Sequence, residues 1–396
     1  MHELKERGIG MKMNQNIYFD NAATTFPKPE IVYKTMDEMY RNIGVNAGRG
    51  SYKLARKASD IISDTRKEIS NLINLKNSNR VIFSPSATHA ANQVINGLEW
   101  DEFKTVYVTP FEHNAIMRPL YYIKNKYNIN IEIIPFNEQT LELDYEKMKQ
   151  KFSRKYPDYL FLSHVSNVTG YILPIENIIK EAKKYDAVIT LDIAQSIGVI
   201  DIDIEKLGAD FLIFAGHKSL YGPFGIGGYI DNSNIILNEF IVGGTGSDSL
   251  NLKMPDEYPN KYEAASHNIY AICGLNAAIK WINNTGSKEI YKKESELTKK
   301  MTEELKKVKK IRMYLPNNLE KHLGIISFNL EDYYPDELGQ VLDEDFNIAV
   351  RTGYHCAPLI HDILNTRNIR GTVRLSLGYF NTLGEIDTFI EAIKEL

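Results

Sequence analysis

The chain has 396 residues, 43% hydrophobic and 25% charged, with 47 Lys+Arg against 51 Asp+Glu and a net charge of −4. That length accommodates two domains, or one large domain with a smaller appendage, and the weak acidity argues against nucleic acid as the main partner, because a phosphate-binding surface shows as a basic excess. No apolar run approaches the ~20 residues of a membrane span, and the two cysteines, Cys273 and Cys356, are too few for a disulfide framework, so a reducing, cytoplasmic setting is expected.

The first residues carry no apolar signal core. Residues 1–13 are expected to be a tail, with Met11 and Met13 as alternative starts. Ile17 to Thr25 is a short extended piece running into small residues, and Pro29 suits the first turn of a helix through about Arg41. Asn46 to Ser51 is a polar glycine loop. Lys53 to Ile73 is expected as a helix, with Leu54, Ala58, Ile61, Ile62, Ile69 and Leu72 at three- and four-residue steps. Strands and helices then alternate. The strands are Val81–Phe83, Thr105–Val108, Ile131–Pro135, Tyr159–Leu162, Ala187–Leu191 and Phe211–Phe214. Helices are expected up to Leu98, through Lys126, over Tyr145–Phe152 and over Ile175–Tyr185, with a short one before Phe211. The strand runs are apolar without in-out alternation, which suits a parallel sheet covered on both faces. After Gly228 an irregular region is expected, then helices over His267–Ile282 and Glu289–Lys310. A smaller domain follows, with strands at Gly324–Asn329, Ile348–Val350 and Gly371–Asn381, and helices from Pro335 to Asp343 and from Glu385.

In an open parallel α/β sheet, ligands collect beyond the carboxyl ends of the strands. The residues there are Ala87 and Thr88, His113, Asn167, Asp192, and His217 with Lys218. Lysine is almost never fully buried without a partner. Asp192 and Lys218 lie 218 − 192 = 26 residues apart, about one strand-helix-strand step, so on neighbouring strands they face one crevice. Pyridoxal 5'-phosphate uses such a set: a lysine to hold its aldehyde carbon, a carboxylate on its pyridine nitrogen, a flat group on its face (His113), and phosphate donors where Ala87 and Thr88 open a helix. Asn167 and Gln195 can hydrogen-bond the ring hydroxyl. Each residue also has a structural reading. Asp192 caps a turn before Ala194, His113 is a hydrogen-bonded core histidine, Thr88 is a helix cap and Asn167 a turn residue. Their co-occurrence at successive strand ends favours the functional one.

A nucleotide-phosphate loop at Gly216–Ser219 is excluded, because the lysine does not directly follow a glycine and no glycine opens the spacing. His355, Cys356 and His361 fit no usual zinc spacing, so no metal is expected. Cys273 lies in an apolar helix as a core residue. Cys356 lies in a polar loop near arginines, a setting that suits a reactive thiol.

These residues resemble a known family. Y-F-D-N-A-A-T-T at 18–25, E-H-N-A at 112–115, S-H-V-S-N-V-T-G at 163–170, L-D-I-A-Q-S at 191–196, G-H-K at 216–218 and R-T-G-Y-H-C-A at 351–357 are similar to cysteine desulfurases and selenocysteine lyase-like enzymes, pyridoxal-phosphate enzymes of the class V aminotransferase group. The resemblance implies the type I fold of that cofactor's transferases: a large domain with a mainly parallel sheet covered by helices (30–283) and a smaller α+β domain (14–29 with 284–396) carrying the cysteine loop. It implies Lys218, Cys356 and His113 as catalytic residues, with Cys356 taking the sulfur. Asp192 would pair with the pyridine nitrogen, His113 would stack on the ring, and Asn167 and Gln195 would contact its oxygen. Ala87, Thr88 and His217 would hold the phosphate, with Ser266 arriving from the other subunit of a homodimer. Arg374 would clamp the substrate carboxylate, aided by Asn167 and Asn46. The gap 374 − 356 = 18 matches the short-loop group, which works with a sulfur-accepting protein. L-cysteine or selenocysteine is the implied substrate. The chain departs from the family at Ala215, where serine is frequent, at Ala87-Thr88-His89-Ala90, and at Asn46-Ala47-Gly48-Arg49, which lacks the usual histidine. An aminotransferase, epimerase or lyase of the same fold, with Cys356 incidental, and a catalytically silent scaffold are the alternatives.

Overall fold

The computed structural model describes residues 16–48, 50, 52–246 and 250–396. The expected tail at 1–13, the start of the smaller domain at 14–15, Arg49 and Ser51 of the glycine loop, and Ser247 lie outside the described residues.

In chain order the strands are β1 (Ile17–Tyr18), β2 (Val81–Ser84), β3 (Thr105–Val108), β4 (Asn130–Ile133), β5 (Tyr159–Ser163), β6 (Val188–Asp192), β7 (Phe211–Ala215), β8 (Gly227–Asp231), β9 (Ile311–Tyr314), β10 (Ile325–Leu330), β11 (Ile348–Ala349), β12 (Arg351–Gly353) and β13 (Thr372–Ser376). A seven-stranded sheet has the order β2-β8-β7-β6-β5-β3-β4. Its strands are parallel except β8, which runs antiparallel to both β2 and β7. Side chains alternate between the two faces of a strand, and the core divides accordingly. Leu160, Leu162, Ile189, Leu191, Leu212 and Phe214 enter one cluster, while Val106, Val108, Tyr159, Phe161, Phe211 and Ile213 enter another. Both faces are covered, which is why these strands read as continuous apolar runs.

The expected helices form, with shifted ends. Lys53–Leu72 buries Ala55, Ala58, Ile62, Thr65 and Ile69 and packs against the helix Ile269–Thr285. The long charged helix is Ser287–Leu305, ending short of Lys310. Residues 311–314 form the edge strand β9 instead, which sequence reading assigned to no element. Its burial alternates only weakly, as an edge strand's does.

The larger correction is β8. An irregular stretch was expected after Gly228, yet Gly227–Asp231 is fully buried between β2 and β7. The two glycines hide it, because they interrupt the apolar pattern that marks a strand. They are required by close approach. A Cβ on Gly228 would stand 2.1 Å from the Ile82 carbonyl oxygen, and one on Gly227 2.8 Å from the Ala87 nitrogen. The glycines thus let the start of the helix Ala87–Gly97 settle against the sheet.

A second sheet, β12-β13-β10-β9, is antiparallel. It shares a core with Leu297, Met301, Leu305, Ile386 and Phe389 from two helices, and with Ile17 of the N-terminal strand and Phe19 just after it. That strand pairs with β11, and Asp20 bridges to Ser376 at the end of β13. Residues 17–20 are therefore fixed to the C-terminal part of the chain, while Thr24 and Thr25 reach back to His217.

Candidate active site

The carboxyl ends of β2, β7, β6, β5 and β3 open on one side of the large sheet. β7 ends in Ala215 and releases Gly216, His217 and Lys218. β6, paired beside it with Asp192 opposite Ile213, ends in Asp192 itself. The two side chains lie close enough that each is the other's leading opposite charge. Burial pulls the Lys218 ammonium below the usual lysine range, opposed by Asp192 and reinforced by Arg374. Burial raises the Asp192 carboxyl, opposed by Lys218 and by the Ala194 N–H. That N–H donates to Asp192 Oδ1 at 2.9 Å, so the turn-capping role and the charge-pairing role coexist in one side chain.

His113 shows the same doubling. It caps the helix Asn114–Tyr127, its Nδ1 accepting the Ala115 N–H at 3.0 Å. A ring that accepts at Nδ1 carries its proton on Nε2. Burial, then the charges of Lys218, Arg374, Arg351 and Arg118, lower its pKa to about 3, so the imidazole is neutral at physiological pH. Beneath it Glu112 is fully buried, accepting from Thr109 Oγ1 at 2.5 Å, from Ser163 N at 2.8 Å and from Ser163 Oγ at 2.8 Å. Burial raises its pKa to about 7 against those hydrogen bonds. Glu112 ties the end of β3 to the end of β5, and sequence reading gave it no role.

Asn167 and Gln195 are buried, and each donates to a backbone carbonyl: Asn167 Nδ2 to His355 O at 2.7 Å and Gln195 Nε2 to Ala22 O at 2.8 Å. Arg374, on β13, is 2% exposed. Its Nη1 donates to Asn167 O at 2.9 Å and its Nη2 to Asp20 Oδ1 at 2.7 Å, while its Nε is buried without a partner. Asp20 is the second residue that sequence reading left without a role. It lies 354 positions from Arg374, and only the folded chain brings the two together.

Cys356 is exposed, and it and His355 both take left-handed backbone angles, φ 57 and φ 48. For residues other than glycine this conformation costs about 1–2 kcal/mol each, so surrounding contacts must hold it. They do: Asn114 N–H donates to Cys356 O at 2.6 Å, Asn167 Nδ2 holds His355 O, His355 Nε2 pairs with Thr372 Oγ1 at 2.8 Å, and Ala357 N–H closes on Tyr354 O at 3.0 Å. The backbone is pinned while the thiol faces a groove of about 550 Å³ lined by Asn114, Arg351, Tyr354 and Arg367. Cys356 is also among the charges felt by Lys218 and by Arg374. Cys273, by contrast, is buried on the helix Ile269–Thr285, where burial pushes its thiol up to about 11.

Two features suit a phosphorylated ring. The helix Ala87–Gly97 is capped by Ser86, whose hydroxyl accepts the His89 N–H. Thr88 is thus not the cap, and the amides of Ala87 and Thr88 at the helix start are the donors an anion takes. His217 Nδ1 is buried without a partner, its ring stacked on Phe224 at 4.6 Å, and burial with the Lys218 and Lys28 charges lowers its pKa to about 3. The residues present therefore fit pyridoxal phosphate. Ser266 lines a cavity of about 450 Å³ with Ser84, Pro85 and His89, residues flanking the start of the helix Ala87–Gly97, and Asn46 is exposed on its loop.

The sequence model of the class-V aminotransferase family matches residues 17–389. A protein of Pyrococcus abyssi described as a probable cysteine desulfurase is 36% identical over 387 residues, covering 96% of this chain and 94% of that protein. One of Methanothermobacter thermautotrophicus with the same description is 30% identical over 97% of this chain and 95% of its own length. Among solved structures, the apo cysteine desulfurase of Thermococcus onnurineus superposes with a TM-score of 0.89 at 32% identity, covering 97% of this chain and 96% of that one.

Proposed function

We propose, for a chain that belongs to the class-V aminotransferases and to their cysteine desulfurase group, that it converts L-cysteine to L-alanine and leaves the sulfur as a persulfide on Cys356. The observation that supports this reading is that Asn167 hydrogen-bonds both Arg374 and the His355 carbonyl beside Cys356, while Asp192, Arg374 and Cys356 are all among the charges acting on Lys218.

The enzymes of this family depend on pyridoxal phosphate, which when bound withdraws the electrons released at the amino acid's α-carbon. Lys218 would hold it, Asp192 would keep its ring nitrogen positive, His113 would lie on its face, Asn167 and Gln195 would reach its ring oxygen, and Ala87, Thr88 and His217 would receive its phosphate. Arg374, oriented by Asp20 and Asn167, would take the substrate carboxylate. Lys218 Nζ, its basicity reduced by burial, serves as the base for the α-proton. His113, neutral and with its Nε2–H free of the helix cap, would offer a donor to that chemistry. Cys356 Sγ, as thiolate, attacks the substrate sulfur. The carbon–sulfur bond breaks, its electron pair goes to the former β-carbon, and proton uptake there, with return of the proton from Lys218 to the α-carbon, yields alanine. One thiol and one cysteine become one persulfide and one alanine, with no external oxidant or reductant.

The pinned loop supports Cys356 as the acceptor over an incidental cysteine, since left-handed strain at two successive residues persists only where contacts hold it. Its groove is open and bordered by Arg351 and Arg367, which suits delivery of the sulfur to an acceptor protein. A homodimer in which Ser266 serves the other subunit's phosphate site, a division into 30–283 and 14–29 with 284–396, selenocysteine as an alternative substrate, and a cytoplasmic location belong to the same proposal. No helix among the described residues is long and apolar enough to cross a membrane. The test is alanine and persulfide production from L-cysteine by the loaded enzyme and by Cys356→Ala. Loss of both in the variant, with cofactor retained, supports the assignment. Undiminished alanine would remove Cys356 from the reaction.

A further inference from the structure

The carbonyl oxygen of His217, in the peptide that leads into Lys218, receives an unusual number of donors. Thr25 N–H donates to it at 3.1 Å, Thr24 Oγ1 at 3.0 Å, and Lys28 Nζ at 2.8 Å, with Thr25 Oγ1 at 3.4 Å. A carbonyl has two lone pairs, so this oxygen is held more tightly than hydrogen-bond satisfaction requires. All the donors come from one short segment, Thr24 to Lys28.

Lys28 is the charged member. It is largely buried and has no carboxylate within salt-bridge distance among the described residues. Its ammonium is spent on His217 O, on Thr25 Oγ1 at 2.8 Å and on Thr24 Oγ1 at 3.4 Å. Desolvation lowers its pKa to about 7. A lysine buried without a counter-charge costs stability.

The same segment holds the other half of the site. Asp20 lies eight positions before Lys28 (28 − 20 = 8) and grips Arg374 Nη2. The stretch from Asp20 to Lys28 is therefore a strut, fixed at one end to the guanidinium and at the other to the peptide before Lys218. A trans peptide is planar, so fixing the His217 oxygen fixes the plane from which the Lys218 backbone departs. We infer that Lys28 is a positioning residue, which sets where Lys218 stands relative to Arg374 by holding the His217 carbonyl. The inference rests on the proposed roles of Lys218 and Arg374.

The test uses the cofactor-loaded enzyme, with Lys28→Met, Lys28→Arg, Thr24→Val and Lys218→Ala. Two readouts besides turnover report placement: the visible circular dichroism of the bound cofactor, which follows its orientation in the protein, and the rate of pyridoxal phosphate uptake by apoprotein. Lys28→Met is expected to lose dichroism per unit of visible absorbance and to slow uptake. Its kcat should fall roughly tenfold to a hundredfold with little change in KM, the scale of a misplacement of an ångström or less. Lys28→Arg, which keeps the charge and the donor, is expected to recover most of this. Thr24→Val removes one donor from the same oxygen and leaves the cation, so it should shift the dichroism in the same direction by less, and it serves if Lys28→Met does not fold. Wild-type dichroism and kcat in folded Lys28→Met, or in Thr24→Val should the methionine variant not fold, would overturn the inference. If Lys218→Ala keeps the dichroism and the activity, the reading of the site itself fails. If it loses both while Lys28→Met matches the wild type, only the role of Lys28 fails.

Discussion

Glu294 offers a sharp test of how burial sets charge in this fold. It lies on the helix Ser287–Leu305, 5% exposed, and its Oε1 accepts the Tyr221 hydroxyl at 2.9 Å. Tyr221 follows Lys218 by three residues, and its oxygen in turn accepts the Tyr379 N–H at 2.8 Å. Burial raises the Glu294 carboxyl from 4.5 to about 8, against the Tyr221 hydrogen bond. Folded, it is neutral up to about pH 8; unfolded, it ionises above pH 4.5. Between those limits the unfolded state binds fewer protons, so stability falls as pH rises. At 1.36 kcal/mol per pH unit, the span from 4.5 to about 8 amounts to about 5 kcal/mol, fully expressed above pH 8 and absent below pH 4.5. Glu294→Gln keeps an acceptor for Tyr221 and cannot ionise. Urea unfolding of both proteins at pH 5 and pH 8.5 measures the difference, with other titrating groups cancelling in the comparison. The variant should gain on the wild type by about 4 kcal/mol between those two pH values. Parallel pH profiles for the two proteins would refute the reasoning, because they would mean that Glu294 ionises alike in both states.

Three other substitutions bear on separate parts of the account. Arg374→Lys keeps the charge but loses the planar fork, so the KM for L-cysteine is expected to rise by roughly tenfold to a hundredfold, the worth of a charged hydrogen bond of about 1.5–3 kcal/mol; an unchanged KM would remove Arg374 from substrate binding. Arg66→Ala leaves the Glu263 carboxylate, paired to it at 2.5 and 2.8 Å and almost fully buried, with the Phe83 N–H and His267 as its partners among the described residues. Denaturant melts should show a loss of about 3–5 kcal/mol, and a loss below 1 kcal/mol, marked by an almost unmoved midpoint, would show that water reaches the pair. Gly228→Ala must move the backbone at β2, since its Cβ would meet the Ile82 carbonyl. The variant should be recovered in low soluble yield or with a melting temperature reduced by several degrees, and wild-type melting would contradict the packing of β8.

Lys218 and Asp192 stand out in the amino-acid pattern because apolar runs end abruptly in charge, and buried parallel strands leave little else at their ends. The groups that support them are silent for a physical reason. Asp20 has its partner 354 residues away, Lys28 touches His217 189 residues on, and Glu112 binds Ser163. No local period encodes such contacts. Arg374 was reached only through resemblance to a family, since an arginine in a strand has no spacing of its own; Cys356 stood out as a loop thiol near arginines, but its task came from the same resemblance. β8 was missed because Gly227 and Gly228 dilute its apolar character while serving its packing. The structural alternative for Thr88 was a cap, but the serine two positions earlier does that work, leaving the amides that follow open to an anion.

The central claim is that Cys356 receives the substrate's sulfur. Intact-mass analysis of the loaded enzyme after a single turnover with L-cysteine, followed by peptide mapping, tests it most directly. One added sulfur on the peptide containing Cys356, matched by one alanine released and absent in Cys356→Ala, is the expected result. Alanine release with no added sulfur on that peptide would contradict it.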